Sequence, residues 1–209
     1  SPHQDLSTKH VAKILSIARC LDPQSNSKTV DWFNDTYLPE ILKIEDKNKY
    51  NKNKIFRELS NIHKRKKYVE ENFLRMSRKF KDDKNEVELF FFDGTTSYFE
   101  GNHCTLGSPG KDKTTGYQES TILICLLTDR KGFPITWEVS NGNKRDVSEF
   151  KTIGNRLANG LNISNVTFCF DRGIASAANF DLITDILESK FITGLDQNQI
   201  GKIFDPSHR

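Results

Sequence analysis

Two short apolar runs constrain this chain more than any other feature. Residues 87–94 read Val-Glu-Leu-Phe-Phe-Phe-Asp-Gly, and residues 166–173 read Val-Thr-Phe-Cys-Phe-Asp-Arg-Gly. Each is β-branched and aromatic, each ends on Phe-Asp, and each meets a glycine within two residues. Runs of this length and composition read as buried strands, central and parallel ones. A carboxylate at the C-terminal end of such a strand lies where open α/β sheets bind ligands. Two of them on neighbouring strands, Asp93 and Asp171, can hold a divalent metal between them. Either aspartate alone also fits a plainer role. Asp-Gly after a strand signals a hairpin, and an Asp at a strand end often caps the next helix. The repetition favours chemistry, as does Arg172, an expensive cation to set beside a core strand.

The rest of the chain supplies the sheet and its cover. Val11, Ile14, Leu15 and Ala18 recur at helical spacing over residues 6–20, and a second short helical region spans 31–44, interrupted by Pro39. A polar linker at 46–54 leads into one long helix, 55–80, striped by Ile55, Leu59, Ile62, Val69, Phe73, Met76 and Phe80. Residues 81–85 form a charged connection to the first core strand. Further strands are expected at 120–128, 133–139, 166–170 and 191–195, with a turn at 129–132. Asp146 reads as the N-cap of a helix, with Glu149 completing a capping box. A last helix is expected over 176–189. Gly107-Ser108-Pro109-Gly110-Lys111, in a loop at 101–116, departs from the phosphate-loop spacing, and Pro109 removes a donor, so a nucleotide loop is rejected.

The order is therefore β-β-β-α-β-α-β. A meander followed by right-handed crossovers leaves few topologies. The one that sets the first and fourth strands side by side is the ribonuclease H-like fold, a mixed α/β sheet. It brings Asp93 and Asp171 together. The expected division is a helical, basic region at 1–85 and the catalytic core at 86–209.

Charge supports that division. Residues 1–86 hold 19 Lys/Arg against 13 Asp/Glu, while residues 87–209 hold 12 against 15. A basic front half and an acidic sheet-forming half suggest a polyanion partner with metal-binding carboxylates behind it. Lys64, Arg65, Lys66 and Lys67, next to His63, are candidate phosphate contacts; a solvated helix face accounts for them equally well. Cys20, Cys104, Cys125 and Cys169 stand far apart, which argues against a zinc site or a disulfide framework and fits a reducing cytoplasm. No run of about 18 apolar residues suggests a membrane span. His63 and His103 read as surface residues.

Several blocks resemble the DDE-type transposases of bacterial and archaeal insertion sequences. Residues 92–100 (Phe-Asp-Gly-Thr-Thr-Ser-Tyr-Phe-Glu), with Leu106-Gly107 and Lys111-Asp112-Lys113, resemble the first catalytic block. Residues 129–135, Glu138-Val139, Gly142-Asn143 and Asp146 resemble the stretch between blocks. Asp171-Arg172-Gly173-Ile174, with Ser176 and Asn179, resembles the second. The match spans about residues 87–195 and is weaker over the helices at 31–80. It implies a ribonuclease H-like core, two magnesium or manganese ions, and metal-dependent cleavage and strand transfer of DNA at element ends and target, by a homodimer in the synaptic complex.

The resemblance assigns Asp93 and Asp171 to the first two acidic positions and leaves Arg172 as a phosphate contact or a salt-bridge partner. The third acidic residue, a glutamate on a later helix, has no counterpart before Arg209, so an incomplete fragment is expected. Two alternatives stay open. One is a ribonuclease H-like nuclease whose site is completed by Asp146 or Glu149, residues that otherwise serve as caps or outer support. The other is a non-catalytic DNA-binding remnant.

Overall fold

The helices and strands follow the hydrophobic periodicity, with corrections at the places where charge or pairing intervenes. A computed structural model of the chain describes residues 6–79, 88–98, 104–111, 118–161 and 163–194. Val87, the connection expected at 81–85, His103, half of the loop expected at 101–116 and the tail from 195 lie outside the described residues. The chain divides into two units, Ser1–Val69 and Glu70–Arg209.

The first unit is helical: α1 (Thr8–Leu21), α2 (Thr29–Asn34), α3 (Leu38–Ile41), a 3-10 turn at Lys47–Lys49, and α4 (Lys52–Lys64). Ser7 caps α1, its hydroxyl accepting the His10 N–H, and Asn51 caps α4 by accepting the Lys54 N–H. Val11 and Ile14 of α1, Phe33, Tyr50 and Ile55 close its core. Phe33 and Tyr50 meet with ring centroids 4.7 Å apart, and Tyr50 shares a 3.1 Å hydrogen bond with Thr29. Pro39 does not interrupt a helix; it stands in the first turn of α3, where its missing N–H costs nothing.

Glu58 is buried in this unit. It accepts hydrogen bonds from the Thr8 hydroxyl and the Asn61 amide, and the Lys54 ammonium lies 3.2 Å away. Both Lys54 and Glu58 are almost fully buried, so each needs the other.

The expected single helix over 55–80 is two. α4 ends at Lys64, Arg65 leaves helical geometry at φ −102°, ψ 18°, and α5 runs Lys66–Lys79. Lys64, Arg65, Lys66 and Lys67 are four cations in a row, with Lys64 and Lys67 three residues apart, which works against a continuous helix at that point. The division between the two units falls inside α5, between Val69 and Glu70.

The second unit carries the sheet: β1 (Leu89–Tyr98), β2 (Ser108–Lys111), β3 (Gln118–Asp129), β4 (Pro134–Asn141), β5 (Thr167–Phe170) and β6 (Lys190–Thr193). β3 pairs antiparallel with β1 on one side and with β4, then β2, on the other. β1 pairs parallel with β5, and β5 parallel with β6. The path β4-β3-β1-β5-β6, a meander followed by two parallel strands, is the ribonuclease H-like arrangement. β2 lengthens it by one short strand where a loop was expected.

Two helices arise between the parallel strands. α6 (Asp146–Arg156) continues into a wider π-type turn at Leu157–Leu161, and α7 (Ala177–Asp181) into another at Leu182–Ile186. The inner face of α6 presents Phe150, Ile153 and Gly154. Phe150 meets Phe92, Phe168 and Phe170 with centroid separations of 5.0, 5.8 and 5.3 Å. β1 shows the alternation of a strand with one covered face: Phe90, Phe92 and Gly94 are buried, Phe91, Asp93 and Thr95 exposed.

The two tryptophans, Trp32 and Trp137, fall one in each unit. Hydrogen bonds from Thr8 and Asn61, with the Lys54 charge, hold the Glu58 carboxyl down at about 2, below the usual carboxylate value of about 4.3. A group depressed on folding contributes stability above its unfolded pKa, and that contribution is lost as pH falls towards its folded one. In a Trp137→Phe background, Trp32 fluorescence should therefore show the first unit weakening between about pH 5 and pH 2. Glu58→Gln should lower stability at pH 7 and flatten that acid limb. An unchanged acid midpoint would remove Glu58 as its cause.

Candidate metal centre

The parallel ladder decides where the two aspartates stand. Its pairs run from Leu89 with Thr167 to Phe92 with Phe170, so Asp93 and Asp171 are the next residues on both chains. Neighbouring strands lie about 4.8 Å apart, which sets the two backbones at one level. Asp93 is not at a strand end or in a turn, as its Asp-Gly pair suggested. β1 continues through it to Tyr98, because β3 pairs with every residue from Phe90 to Tyr98. β5 is the short strand, and the level of Asp93 is set by where β5 stops.

Both carboxylates are exposed and anchored at one oxygen. Asp93 Oδ1 accepts the Gly94 N–H at 2.8 Å, and Asp171 Oδ1 accepts the Gly173 N–H at 2.9 Å. Among the described residues neither Oδ2 takes a hydrogen bond. The Asp171 turn is closed on itself. The Asp171 carbonyl accepts the Ile174 N–H at 3.2 Å and the Thr193 hydroxyl at 3.2 Å, and the Arg172 carbonyl accepts the Ala175 N–H. Hard oxygen donors of this kind fit a divalent cation such as magnesium or manganese. Among the described residues no three of His, Cys, Asp and Glu converge closely enough to hold a metal ion.

Asp146 and Glu149 occupy places different from those expected. Asp146 is the first residue of α6, not its cap; Arg145 is the cap residue and contributes no side-chain bond. The Asp146 carboxylate lies over β1 at Gly94, so that a Cβ there would stand 2.7 Å from Asp146 Cγ and Oδ2. Glycine at position 94 thus admits the first turn of α6 onto the strand next to Asp93. Glu149 makes no capping box. It is buried, accepts the Ser140 hydroxyl at 2.6 Å and pairs with Lys144 at 3.0 Å, which commits it to joining α6 to β4.

The resemblance includes Asn179 in the second block but assigns it no role. Asn179 is 2 % exposed, and its amide donates to the Ile174 carbonyl at 2.9 Å and the Val147 carbonyl at 3.1 Å. One side chain thereby joins the turn bearing Asp171 to the first turn of α6. The far end of α6 is held by Arg156, which bonds Glu70, Thr136, Glu138 and the Trp137 carbonyl. Arg172 is exposed and has no ion-pair partner among the described residues. In the first unit, His63, Lys64, Arg65 and Lys67 are exposed and Lys66 half-buried.

No family model and no curated protein matches this chain. Among solved structures it is similar to a Mos1 transposase paired-end complex with the left transposon end, at 12 % identity over 88 % of this chain and 58 % of that one, TM-score 0.35. It is similar to a piggyBac transposase synaptic complex with hairpin DNA, at 13 % identity over 93 % of this chain and 42 % of that one, TM-score 0.49. A Mos1 strand transfer complex shares 12 % identity over 90 % of this chain and 59 % of that one, TM-score 0.37. The chain spans about half the length of these solved chains. At these identities and scores none of them lends a residue or an activity to this chain.

Cys125 sits opposite Gly94 on β3 and is fully buried. Burial first, then the negative charges of Asp146, Glu149, Asp93 and Glu138, push its thiol up to about 12. Only the thiolate is reactive, and a pKa near 12 leaves about one thiol in ten thousand ionised at pH 8. Ellman's reagent at pH 8 should therefore modify exposed Cys20 quickly and leave Cys125 untouched until the chain unfolds. Rapid native labelling of Cys125, mapped by mass spectrometry, would contradict this packing of carboxylates around it.

Proposed function

We propose that this chain is part of a DNA transposase of the DDE type, of the insertion-sequence kind, and that Asp93 and Asp171 bind the catalytic metal. The observation that carries the reading is the register. Two carboxylates from separate sequence blocks stand at one level on adjacent parallel strands of a ribonuclease H-like sheet. The sequence blocks around them support the same reading.

In this reading Asp93 and Asp171 each present an oxygen to metal while a backbone N–H steadies the other oxygen. Two divalent ions bound there would activate the attacking water or 3′-hydroxyl and stabilise the leaving oxygen. Arg172, exposed beside Asp171, meets a DNA phosphate. Lys64, Arg65, Lys66 and Lys67 add contacts to the phosphate backbone that carry no sequence information. The partner is DNA, at element ends and target, and the working form is a homodimer in the synaptic complex.

A second reading, a nuclease complete within this chain, has one observation in its favour: Asp146 lies over Gly94, one residue along β1 from Asp93, although Gly94 is on the covered face of the strand and Asp93 on the other. Glu149 is unsuited to that role, since Ser140 and Lys144 already engage it.

Calorimetric titration with Mn2+ should show binding that Asp93→Ala and Asp171→Ala each remove, with Mg2+ weaker because it tolerates incomplete geometry badly. Supercoiled DNA should be nicked little by the 209 residues with Mg2+. Robust Mg2+-dependent nicking that Asp146→Ala abolishes would move the reading to the nuclease. Unchanged Mn2+ binding in both aspartate variants would remove the metal site altogether.

Binding to a DNA duplex of arbitrary sequence should weaken with salt, the log–log slope being about −0.9 per phosphate contact. Replacing Lys64, Arg65, Lys66 and Lys67 together by Ala should flatten that slope. An unchanged slope would make the cluster a solvated helix face only.

A further inference from the structure

Asp171 stands one residue beyond the last ladder pair of β5, so the sheet does not hold it directly. Its turn is tied back to β6 through Thr193 and closed by its own backbone bonds. One further tie leaves the turn for another element. The Asn179 amide gives one hydrogen to the Ile174 carbonyl, inside the turn, and the other to the Val147 carbonyl, next to Asp146. An amide NH2 has two hydrogens, and both acceptors are carbonyls, so the group is used to capacity and its orientation is fixed. Its burial makes the bonds costly to break, because the Ile174 and Val147 carbonyls would each lose a donor. The first turn of α6 in turn rests on β1 at Gly94, the neighbour of Asp93. A chain of contacts therefore runs from Gly94, next to Asp93, across the first turn of α6 to the Asp171 turn, separate from the β1–β5 ladder.

We propose that Asn179 is a positioning residue of the metal site. Its carboxamide sets the spacing between the Asp171 turn and the start of α6, and so the approach of Asp171 to Asp93. The proposal rests on the reading of Asp93 and Asp171 as metal ligands. Asn179 itself touches neither metal nor DNA; it acts through Asp171. Outer partners that orient metal ligands are worth about 10–100-fold in metal affinity.

The test is Mn2+ titration of the 209-residue chain followed by electron paramagnetic resonance, with near-ultraviolet circular dichroism confirming the fold of each variant. Asn179→Leu removes both donors and keeps the branched shape, with bulkier methyl groups. Asn179→Ser leaves room for water at the two carbonyls, and it keeps the test alive if the leucine variant does not fold. Ser176→Ala is the comparison. It removes the α7 cap that accepts the Asn179 backbone N–H and leaves the amide bridge intact. We expect Mn2+ affinity to fall about 10-fold or more in both Asn179 variants. Ser176→Ala should change it less than about two-fold, although it destabilises the same turn. Wild-type affinity in the folded Asn179 variants, or an equal loss in Ser176→Ala, overturns the assignment of Asn179 while Asp93→Ala still abolishes binding. Mn2+ binding that survives Asp93→Ala overturns the underlying reading instead.

Discussion

The packing of Phe150 against Phe92, Phe168 and Phe170 is the interaction on which the rest of the second unit depends. The ring is fully buried, and it touches both parallel strands at once. Aromatic pairs in tilted or edge-to-face geometry add about 0.5–1.5 kcal/mol each beyond area burial. Three such contacts from one side chain bind α6 across the β1–β5 seam. They make the seam a covered core on that face and leave Asp93 to the other. Replacing Phe150 by a smaller residue would open a cavity at the seam, where collapse is hardest because strands constrain it on two sides.

Polar groups then fix what apolar packing leaves loose. Arg156 draws Glu70 of α5, Thr136 and Glu138 of β4 into one cluster at the end of α6. Glu70 is nearly fully buried, so the arginine offsets a charge that would otherwise be costly in that place. At the opposite end, Glu149 with Ser140 and Lys144, and Asn179 with two carbonyls, hold the first turn. Asp129 does the same for the β3–β4 connection, accepting the Lys131 and Phe133 N–H groups and the Ser77 hydroxyl. Buried hydrogen bonds of this kind add little net stability each but forbid alternative packings, since every broken one strands a partner.

Much of the fold was legible because its signals are local. Period-two alternation and aromatic runs identified the five main strands within a few residues, and 3.6-residue periodicity identified the helices that cover them. What misled was local chemistry outvoted by pairing. Asp93-Gly94 carries a turn signal, yet a twelve-residue β3 holds both residues in an extended ladder. Asp146 carries a cap signal, yet the chain enters α6 one residue earlier and spends that carboxylate over Gly94. The apolar stripe from Ile55 to Phe80 reads as one helix interrupted by the cations at 63–67, and it is there that the chain forms two helices.

The identities of the two carboxylates, the strand order and the uneven charge follow from the residues alone, because each depends on short-range pattern or simple counting. That Asp93 and Asp171 stand level is a different kind of fact. It depends on the register of a parallel ladder between residues 78 positions apart in the chain, which is set by side chains packing across β1, β5 and α6. The same holds for Asn179, whose two acceptors lie 5 and 32 residues away. Such bonds exist only after the helix and the turn have been brought together, so no window of sequence contains them.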